Sequence, residues 1–515
     1  MDGQRASFHE YLGVVLIRSG RVAEAVTAFV AAARLDPSSP GIQVRLANAL
    51  LLHSNGPAAI TCATQAVRLD PDAVIARSCL AQALLSEGRT SEGLEEARTA
   101  AQLDPEDGYT AAVLGLGLQM SGDMSEALAV CERAIDLEPR QGLAYYSLIR
   151  ARRVTDQDLG LVERMHSLAS DPAIDHRARE LLQYSLGKAH EDLGSFGEAM
   201  DHYDRANTLA YSRKFGDAIF SEAESSMPYR FGKGKYGETF LRRNRSVGLT
   251  QELPIFVVGM IRSGTTLVEQ ILSAHPDVGG AGEQAFWAVN GARAFTSDGA
   301  LDPDSLRELA NLYVRQLEGI APNNRFVVDK LPGNFEWLGL LHLAFPTAPI
   351  VHVMRDPRDC CFSIYATENS VLLPWAHVKA NIAANYRRYV ELMAHWRRVL
   401  PRGRVFELRY EELVAQPEAV CRELIAYCRL PWSDSCLKPH ENRRGVVTPS
   451  LWQVRQPIYQ TSVQRWRNFE PWLAEFLDLP EHFDPARHGT AIEGSSAPAG
   501  RVSAAQPPRP PDVRR

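Results

Sequence analysis

Apolar and polar positions near the middle of the chain predict a strand, a tight turn and a helix. The apolar run 255–258 is short and rich in β-branched residues, which is typical of a buried strand. Gly259 and Gly264 bound the loop behind it, and 265–272 has the spacing of an amphipathic helix. A glycine-bounded loop that leads into a helix N-terminus binds anions, because glycine lets the backbone approach and the helix dipole favours negative charge. The pattern therefore predicts a phosphate-binding turn here.

The region before this turn repeats with a period of 34 residues. Asp-Pro or Glu-Pro pairs begin at Asp36, Asp70, Asp104 and Glu138. This period is typical of tetratricopeptide repeats, in which two antiparallel helices cross at small residues and proline ends the second helix. Such repeats stack into a superhelix with a concave groove, so we predict an α-solenoid over 1–212. The pattern leaves open whether the groove docks a peptide or protein partner, or whether the array is a folding cap or spacer.

The turn resembles a nucleotide P-loop with one important difference. The G-x4-G spacing of a P-loop continues with Lys and then Ser or Thr. Here Thr265 and Thr266 follow Gly264, so the lysine that reaches a γ-phosphate is absent, and the basic side chain, Arg262, lies inside the loop. The missing lysine argues against an ordinary ATPase or kinase. It fits a donor whose 5′-phosphate carries only one further group, such as a phosphosulfate. A strand–turn–helix with a chance glycine spacing is the alternative interpretation.

The residues 260–267 (MIRSGTTL) resemble the 5′-phosphosulfate-binding loop of the sulfotransferases. The likeness is in particular to the protein-tyrosine sulfotransferase branch and its bacterial relatives that carry tetratricopeptide repeats. That family commonly has Pro where Ile261 stands; the difference keeps Arg262 but removes a residue with fixed φ. The resemblance covers about 250–475. It implies a P-loop-like α/β sulfotransferase domain with a central, mostly parallel sheet, and 3′-phosphoadenosine-5′-phosphosulfate (PAPS) as the sulfuryl donor.

The same resemblance implies the residues that carry out the transfer. Glu283 follows the glycine-rich stretch 279–282, which is predicted to form a turn. It lies at the family's base position and would take the acceptor's proton, although a surface or helix-capping glutamate is the alternative. Lys330 follows a predicted strand, on the edge where α/β sheets bind ligands, and would neutralise charge on the oxygen that bridges phosphate and sulfate. Ser450 falls at the family's catalytic serine. Together with Arg262 and Lys330, it would stabilise the transferring group.

The donor's 3′-phosphate is assigned to Arg355, at the end of the predicted strand 349–354, and to Ser363 in the helix behind it. An arginine fork with a hydroxyl suits a phosphate. The family has a further basic residue where Thr367 stands, so that contact is lost or comes from elsewhere. Tyr410 matches a nucleotide-contacting tyrosine or is a core residue, and 450–466 resembles a loop that folds over the donor. The predicted donor-binding residues are thus Arg262, Ser263, Gly264, Thr265, Thr266, Arg355, Ser363, Tyr410, Gln453 and Arg465, the last replacing a lysine.

Composition restricts the setting of this site. The chain has 515 residues, a formal net charge of −6 and 45% hydrophobic residues, as expected for two to four globular domains. The negative charge argues against a general nucleic-acid surface, so the anion site must be local. The eight cysteines lack a C-x-x-C pair, the first residues lack a signal-peptide core, and no run of about 18 apolar residues is present. We therefore expect a cytoplasmic protein without a membrane span, and no metal, because no His/Cys ligand cluster is recognised.

We predict a repeat solenoid (1–212), a linker (213–250), a sulfotransferase domain (251–485) and a disordered Pro-, Ala- and Ser-rich tail (486–515). Basic residues of the linker would either face an acidic substrate or be solvated. The predicted reaction is sulfuryl transfer to a hydroxyl, with protein or peptide tyrosine as the leading acceptor and a glycan, lipid or small-molecule hydroxyl as the alternative. A repeat scaffold whose P-loop binds nucleotide without turnover is the alternative from another class.

Overall fold

The computed structural model describes residues 2–216, 218, 220–251, 253–369, 372–442 and 455–480. The residues up to Pro480 form one compact unit. The predicted tail, 486–515, lies outside the described residues. In the part of the chain that is described, we find no helix with the length and apolar character needed to cross a bilayer.

Helix pairs make up the front of the molecule and confirm the predicted solenoid. Neighbouring helices along the array pack on one another, and a short 3-10 helix (Asp156–Asp158) interrupts the array where the repeat pattern is weakest. The helices are α1 (Asp2–Arg18), α2 (Val22–Leu35), α3 (Pro40–Leu52), α4 (Gly56–Leu69), α5 (Val74–Ser86), α6 (Thr90–Leu103), α7 (Gly108–Ser121), α8 (Met124–Leu137), α9 (Gly142–Ala151), α10 (Leu159–Ser170), α11 (His176–Asp192) and α12 (Phe196–Phe215).

The turn inside each helix pair follows the 34-residue grid. Gly20, Gly88 and Gly122 have φ of +77°, +79° and +102°, the left-handed region that glycine enters without steric cost. Ser54 lies 34 residues after Gly20 and 34 residues before Gly88, and it has φ +57°. The turn therefore keeps its conformation without glycine, which explains why the second repeat is weak in sequence but stays in register.

Short helices connect the solenoid to the sheet domain: α13 (Glu222–Ser225), α14 (Met227–Lys235) and α15 (Glu238–Asn244). Tyr229 donates a hydrogen bond to Asn385 Oδ1 (3.0 Å), and Lys233 pairs with Glu391 (2.9 Å). This segment therefore packs against the long helix of the sheet domain. The cavity between the solenoid and the sheet domain has none of this segment's basic residues in its wall. These residues are Lys233, Lys235, Arg242, Arg243 and Arg245.

The described part of the second half forms a five-stranded parallel sheet in the order β2-β3-β1-β4-β5, as the predicted fold class requires. The strands are β1 (Pro254–Gly259), β2 (Val278–Gly282), β3 (Phe326–Asp329), β4 (Ile350–Met354) and β5 (Phe406–Arg409). The sheet is flanked by α16 (Thr265–Ser273), α17 (Phe286–Asn290), α18 (Pro303–Ile320), α19 (Leu338–Ala344), α20 (Pro357–Tyr365), α21 (Lys379–Val399), α22 (Tyr410–Ala415), α23 (Pro417–Tyr427) and α24 (Ala474–Leu477). Its 3-10 helices are Gly291–Ala294, Pro332–Trp337, Pro374–His377, Asp434–Leu437, Pro439–Glu441 and Arg465–Trp472.

One element differs from the sequence interpretation. The glycine-rich stretch 279–282 reads as a turn, but it belongs to the edge strand β2, which pairs with β3. Pairing and packing override the low strand propensity of glycine here. A Cβ at Gly279 would lie 2.5 Å from Cβ of Ala321, so the absence of a side chain at Gly279 lets the Ala321 methyl group pack closely on the strand.

The solenoid and the sheet domain share a core and a buried ion network. The apolar core continues from Tyr203 in the repeats into the sheet at Phe256. Beside it, Glu180 of α11 is fully buried and pairs with Arg213 Nε of α12 (2.6 Å). Arg177 contacts Glu180 and also Glu368 of the sheet domain, the latter at 3.1 Å. Buried charges need such partners, so the network ties the two halves together.

Candidate functional site

A cavity of about 580 Å³ lies where the solenoid meets the sheet domain. Its solenoid wall comes from the first helices of successive pairs, α3, α5, α7, α9 and α11. Its opposite wall contains the turn between β1 and α16 and the segments that follow β2, β4 and β5. The predicted site residues in this wall are Arg262, Gly264, Thr265, Thr266, Glu283, Arg355, Ser363, Tyr410 and Arg465. The fold therefore gathers residues that are separated by about two hundred positions in sequence.

The phosphate-binding turn has backbone dihedrals that few residues adopt. Arg262 has φ +69° and Gly264 has φ +101°. A Cβ at Gly264 would lie 2.5 Å from Cδ2 of Tyr410, so the ring of that tyrosine packs directly on the glycine. The carbonyl of Ile261 accepts a hydrogen bond from Cys360 Sγ (3.2 Å), which anchors the loop at the residue where proline was expected. Glycine at 264 is thus required by both its φ and its contact.

Arg262, Arg355 and Ser363 form one hydrogen-bonded group. Arg262 Nε donates to Ser363 Oγ (3.1 Å), and Arg355 Nη1 donates to the carbonyl of Arg262 (3.1 Å). The Arg355 guanidinium also lies 4.8 Å from the ring centroid of Tyr410 and donates to the carbonyl of Ser462 (2.6 Å). The residues assigned to the two ends of the donor are therefore in direct contact with each other.

Positive charge is concentrated around this group. Burial, together with the nearby charges of Arg150, Arg355 and Arg465, lowers the pKa of Arg262 to about 10. Arg150 belongs to α9 of the solenoid and also lines the cavity. Several guanidinium groups within reach of one another repel unless an anion lies between them. A site with this charge suits a ligand with more than one phosphate or sulfate group.

Glu283 lies in the cavity wall next to a buried lysine. Lys330, only 1% exposed, places its Nζ against Glu283 Oε1 and 3.9 Å from Glu269 Oε2. Glu269 in turn accepts a hydrogen bond from the backbone N–H of Gly282 (3.1 Å). The Glu283 side chain keeps 40% of its surface exposed. A carboxylate is thus held at the surface of the cavity by an ammonium group behind it.

A second buried carboxyl supports the segment that carries Glu283. Asp329 accepts hydrogen bonds from the Tyr313 hydroxyl (2.6 Å), from Asn334 Nδ2 (3.1 Å) and from the backbone N–H of Gln284 (3.3 Å). Burial raises the pKa of Asp329 to about 7. Asp329 ends β3 and directly precedes Lys330, so one strand end positions both members of the Glu283–Lys330 pair.

Arg465 connects the cavity to the solenoid. Its guanidinium pairs with Glu191 of α11, with Nη2 2.5 Å from Oε2, and Glu191 also accepts a hydrogen bond from the Tyr203 hydroxyl (2.8 Å). Although burial opposes it, the pairing with Glu191 raises the pKa of Arg465. Asp359 accepts backbone hydrogen bonds from Gln464 (2.7 Å) and Trp466 (2.9 Å) and so fixes this segment. The other two predicted residues of the covering loop, Ser450 and Gln453, lie outside the described residues.

Two contributions from the solenoid were missed at the sequence level. Arg150 adds positive charge to the donor side of the cavity, and Glu191 holds Arg465. Both belong to helices of the repeat array, and neither position has a local signal that distinguishes it from other charged repeat residues. Only the close packing of the two halves shows their connection to the site.

Comparison with known proteins agrees with this geometry. Residues 254–434 match the model of the sulfotransferase family. Residues 1–40 and 44–108 match a tetratricopeptide repeat model. The predicted resemblance to these two families is therefore confirmed, and the second half of the chain contains a sulfotransferase domain.

Similar proteins include three curated relatives. An uncharacterized protein of Aquifex aeolicus (strain VF5) is 30% identical over 64% of this chain and 44% of its own length. Protein-tyrosine sulfotransferase 2 of Gallus gallus is 25% identical over 42% of this chain and 64% of its own, and protein-tyrosine sulfotransferase 1 of Homo sapiens is 25% identical over 44% and 66%. The chain thus spans between 44% and about two thirds of these relatives. The sulfotransferase domain of the Synechococcus PCC 7002 olefin synthase is 18% identical, with a TM-score of 0.29, over 43% of this chain and 96% of that one.

Proposed function

We propose that this protein transfers the sulfuryl group of PAPS to an acceptor hydroxyl in the cavity, and that the acceptor is a tyrosine of a peptide or protein. The observation that carries the proposal is the direct contact of Arg262, Arg355 and Ser363 at the turn after β1, in the same cavity as Glu283. The match of 254–434 to the sulfotransferase family supports the same chemistry.

The residues present fit a donor with two phosphorylated ends. Within the described part of the chain, Ser263 Oγ and Arg355 Nε are buried and have no hydrogen-bond partner. Buried polar atoms of this kind are satisfied when a ligand supplies oxygen acceptors. In the proposed complex, Arg355 and Ser363 hold the 3′-phosphate, while the start of α16 and Arg262 hold the 5′-phosphosulfate. The family has a basic residue where this chain has Thr367, and Arg150 of the solenoid supplies positive charge in its place.

PAPS supplies an activated sulfuryl group when bound. The acceptor oxygen attacks the sulfur in line, the bond between sulfur and the bridging oxygen breaks, and adenosine 3′,5′-bisphosphate leaves. The Glu283 carboxylate accepts the proton of the acceptor hydroxyl. Lys330, held by Glu283 and Glu269, neutralises the charge that develops on the bridging oxygen. By family resemblance, Ser450 also contacts the transferring group.

The acceptor side of the cavity favours an aromatic hydroxyl over a sugar. The solenoid wall contains many apolar side chains, with amide, hydroxyl and charged side chains between them. Such a wall buries a phenol ring well, whereas a glycan would lose the hydrogen bonds of several hydroxyl groups. Two of the relatives above are named protein-tyrosine sulfotransferases, which supports the same choice. The apolar and amide side chains of the solenoid wall include Leu51, Leu85, Leu116, Met120, Tyr146, Asn48 and Gln82.

The first test measures donor recognition and turnover on the full chain. We expect adenosine 3′,5′-bisphosphate to bind in calorimetry and to raise the Tm more than ATP does; preference for ATP would refute the donor assignment. With labelled PAPS, we expect transfer to tyrosine-containing peptides. Label found only on a glycan, a lipid or a small-molecule hydroxyl would refute the tyrosine assignment.

The second test separates catalysis from nucleotide binding alone. Glu283→Gln removes the proposed base and should lower turnover by roughly 10²-fold or more, while bisphosphate affinity stays near that of the wild type. Glu318→Gln, at an exposed glutamate of α18, is the matched control and should leave both unchanged. An unaltered rate in Glu283→Gln would contradict the base assignment. Donor binding without turnover on any acceptor would favour the repeat scaffold.

A further inference from the structure

Three histidines from three different helices of the solenoid converge away from the cavity. They are His166 of α10, His190 of α11 and His202 of α12, and one ring nitrogen of each lies within 4.8 Å of those of the other two. His166 Nε2 and His190 Nε2 are 2.9 Å apart. His190 and His202 are 7% and 6% exposed, and His166 is the most accessible of the three. Histidines on the exposed surface of a repeat array would be spread apart, whereas these three converge and two of them are buried.

The outer nitrogens of the two buried rings already have partners. His190 Nδ1 lies 2.8 Å from Glu198 Oε2, and His202 Nδ1 lies 2.6 Å from Gln183 Oε1. A carboxylate and an amide oxygen only accept hydrogen bonds, so both rings carry their proton on Nδ1 and keep a lone pair on Nε2. Histidines that bind metals are oriented in the same manner by a hydrogen bond from the second nitrogen.

We propose that His166, His190 and His202 bind a divalent transition-metal ion of the zinc type. Tetrahedral zinc with Zn–N distances of 2.0–2.1 Å places its nitrogen ligands about 3.3 Å apart. The separations found here, from 2.9 Å to at most 4.8 Å, bracket that value. Three imidazoles, two of them with outer hydrogen-bond partners, supply three protein ligands and leave the fourth tetrahedral position for water.

Metal bound here joins α10, α11 and α12 across the irregular part of the array. His190 directly precedes Glu191, the residue that holds Arg465 at the cavity. The site therefore stabilises the helix that supports the donor side, and its role is structural. The inference does not depend on the acceptor or on sulfuryl transfer, since it rests on a different set of residues. The cluster has no signature in the sequence, because its members are spaced along three helices without a ligand motif.

The test uses the full-length protein, free of any affinity tag and stripped of metal with a chelator. Zn²⁺ titration by calorimetry should give one equivalent, Co²⁺ should produce the visible absorption of a tetrahedral complex, and Zn²⁺ should raise the Tm. His166→Gln removes the most accessible ligand and should weaken Zn²⁺ binding by more than about 100-fold and abolish the Tm increase. Glu198→Ala removes an outer partner and should weaken binding by about 10- to 100-fold.

His9→Gln on α1 is the matched control and should bind Zn²⁺ as the wild type does. Circular dichroism of each variant shows whether the helices remain. Absence of stoichiometric Zn²⁺ and Co²⁺ binding in the wild type would overturn the proposal. Unchanged affinity in His166→Gln would do the same, and so would an equal loss in His9→Gln, because the metal would then bind elsewhere. Should His166→Gln fail to fold, the smaller loss of Zn²⁺ affinity expected in Glu198→Ala tests the proposal instead, and an unchanged affinity in that variant would overturn it.

Discussion

The buried ion network provides a direct test of the connection between the two halves. Glu180 is fully buried, and its oxygens contact Arg213 and Arg177. The Glu180→Met substitution removes the negative charge and leaves Arg213, whose side chain is 4% exposed, without a counter-charge. Arg177 keeps Glu368 as a partner. We therefore expect the main effect at Arg213.

The magnitude follows from known costs of buried charge. Removing one partner of a buried ion pair destabilises a protein by about 3–5 kcal/mol. For the compact unit, which ends at Pro480, an unfolding entropy of about 2.1 cal/mol/K per residue gives roughly 1 kcal/mol per degree. Glu180→Met should therefore lower the Tm by about 3–5 °C. The double variant Glu180→Met/Arg213→Met removes both charges and should recover at least half of that loss.

Differential scanning calorimetry of the four proteins in one double-mutant cycle measures these shifts. Glu95→Met, at an exposed position of α6, serves as the control and should change the Tm by less than about 1 °C. A similarly small change in Glu180→Met would refute the reasoning, as would a double variant whose loss equals the sum of the two single losses. Either result would mean that the pair adds no net interaction between α11 and α12.

Three further predictions concern the donor site and pH. Gly264→Ala forces a non-glycine residue to φ +101° against the ring of Tyr410. The left-handed backbone conformation costs a non-glycine residue about 1–2 kcal/mol, so we expect roughly tenfold weaker binding of adenosine 3′,5′-bisphosphate. Gly160→Ala, at a glycine with open space around it, is the control. Arg150→Met should weaken the same ligand by about tenfold or more and reduce the salt dependence of its binding, measured by calorimetry at two salt concentrations. Although burial opposes it, Arg177 and the other nearby cations lower the pKa of Glu368 from 4.5 to about 2, so its stabilisation is complete above pH 4.5 and is lost as pH falls toward 2. The Tm of the wild type should accordingly fall more steeply between pH 5 and pH 3 than that of Glu368→Gln, and parallel curves would contradict this.

Local patterns in the chain were sufficient to predict most of its elements. The 34-residue period predicted the helix pairs, because each repeat has the same turn and the same small residues where helices cross. The apolar runs predicted β1, β3 and β4, and the glycine spacing predicted the turn before α16. The resemblance built on that turn named residues that the fold brings into one cavity, including Arg262, Glu283 and Arg355. Ser450 and Gln453 stay predictions.

Long-range packing decided the rest. The stretch 279–282 became an edge strand because β3 pairs with it and Ala321 packs closely on its backbone, facts that no local window contains. The contributions of Arg150 and Glu191 depend on how the solenoid lies against the sheet domain. The three histidines of the proposed metal site also belong to separate helices. Hydrophobic periodicity indicates which face of one segment is buried. Charge pairs and ligand clusters depend instead on which segments contact each other, and only the tertiary structure determines those contacts.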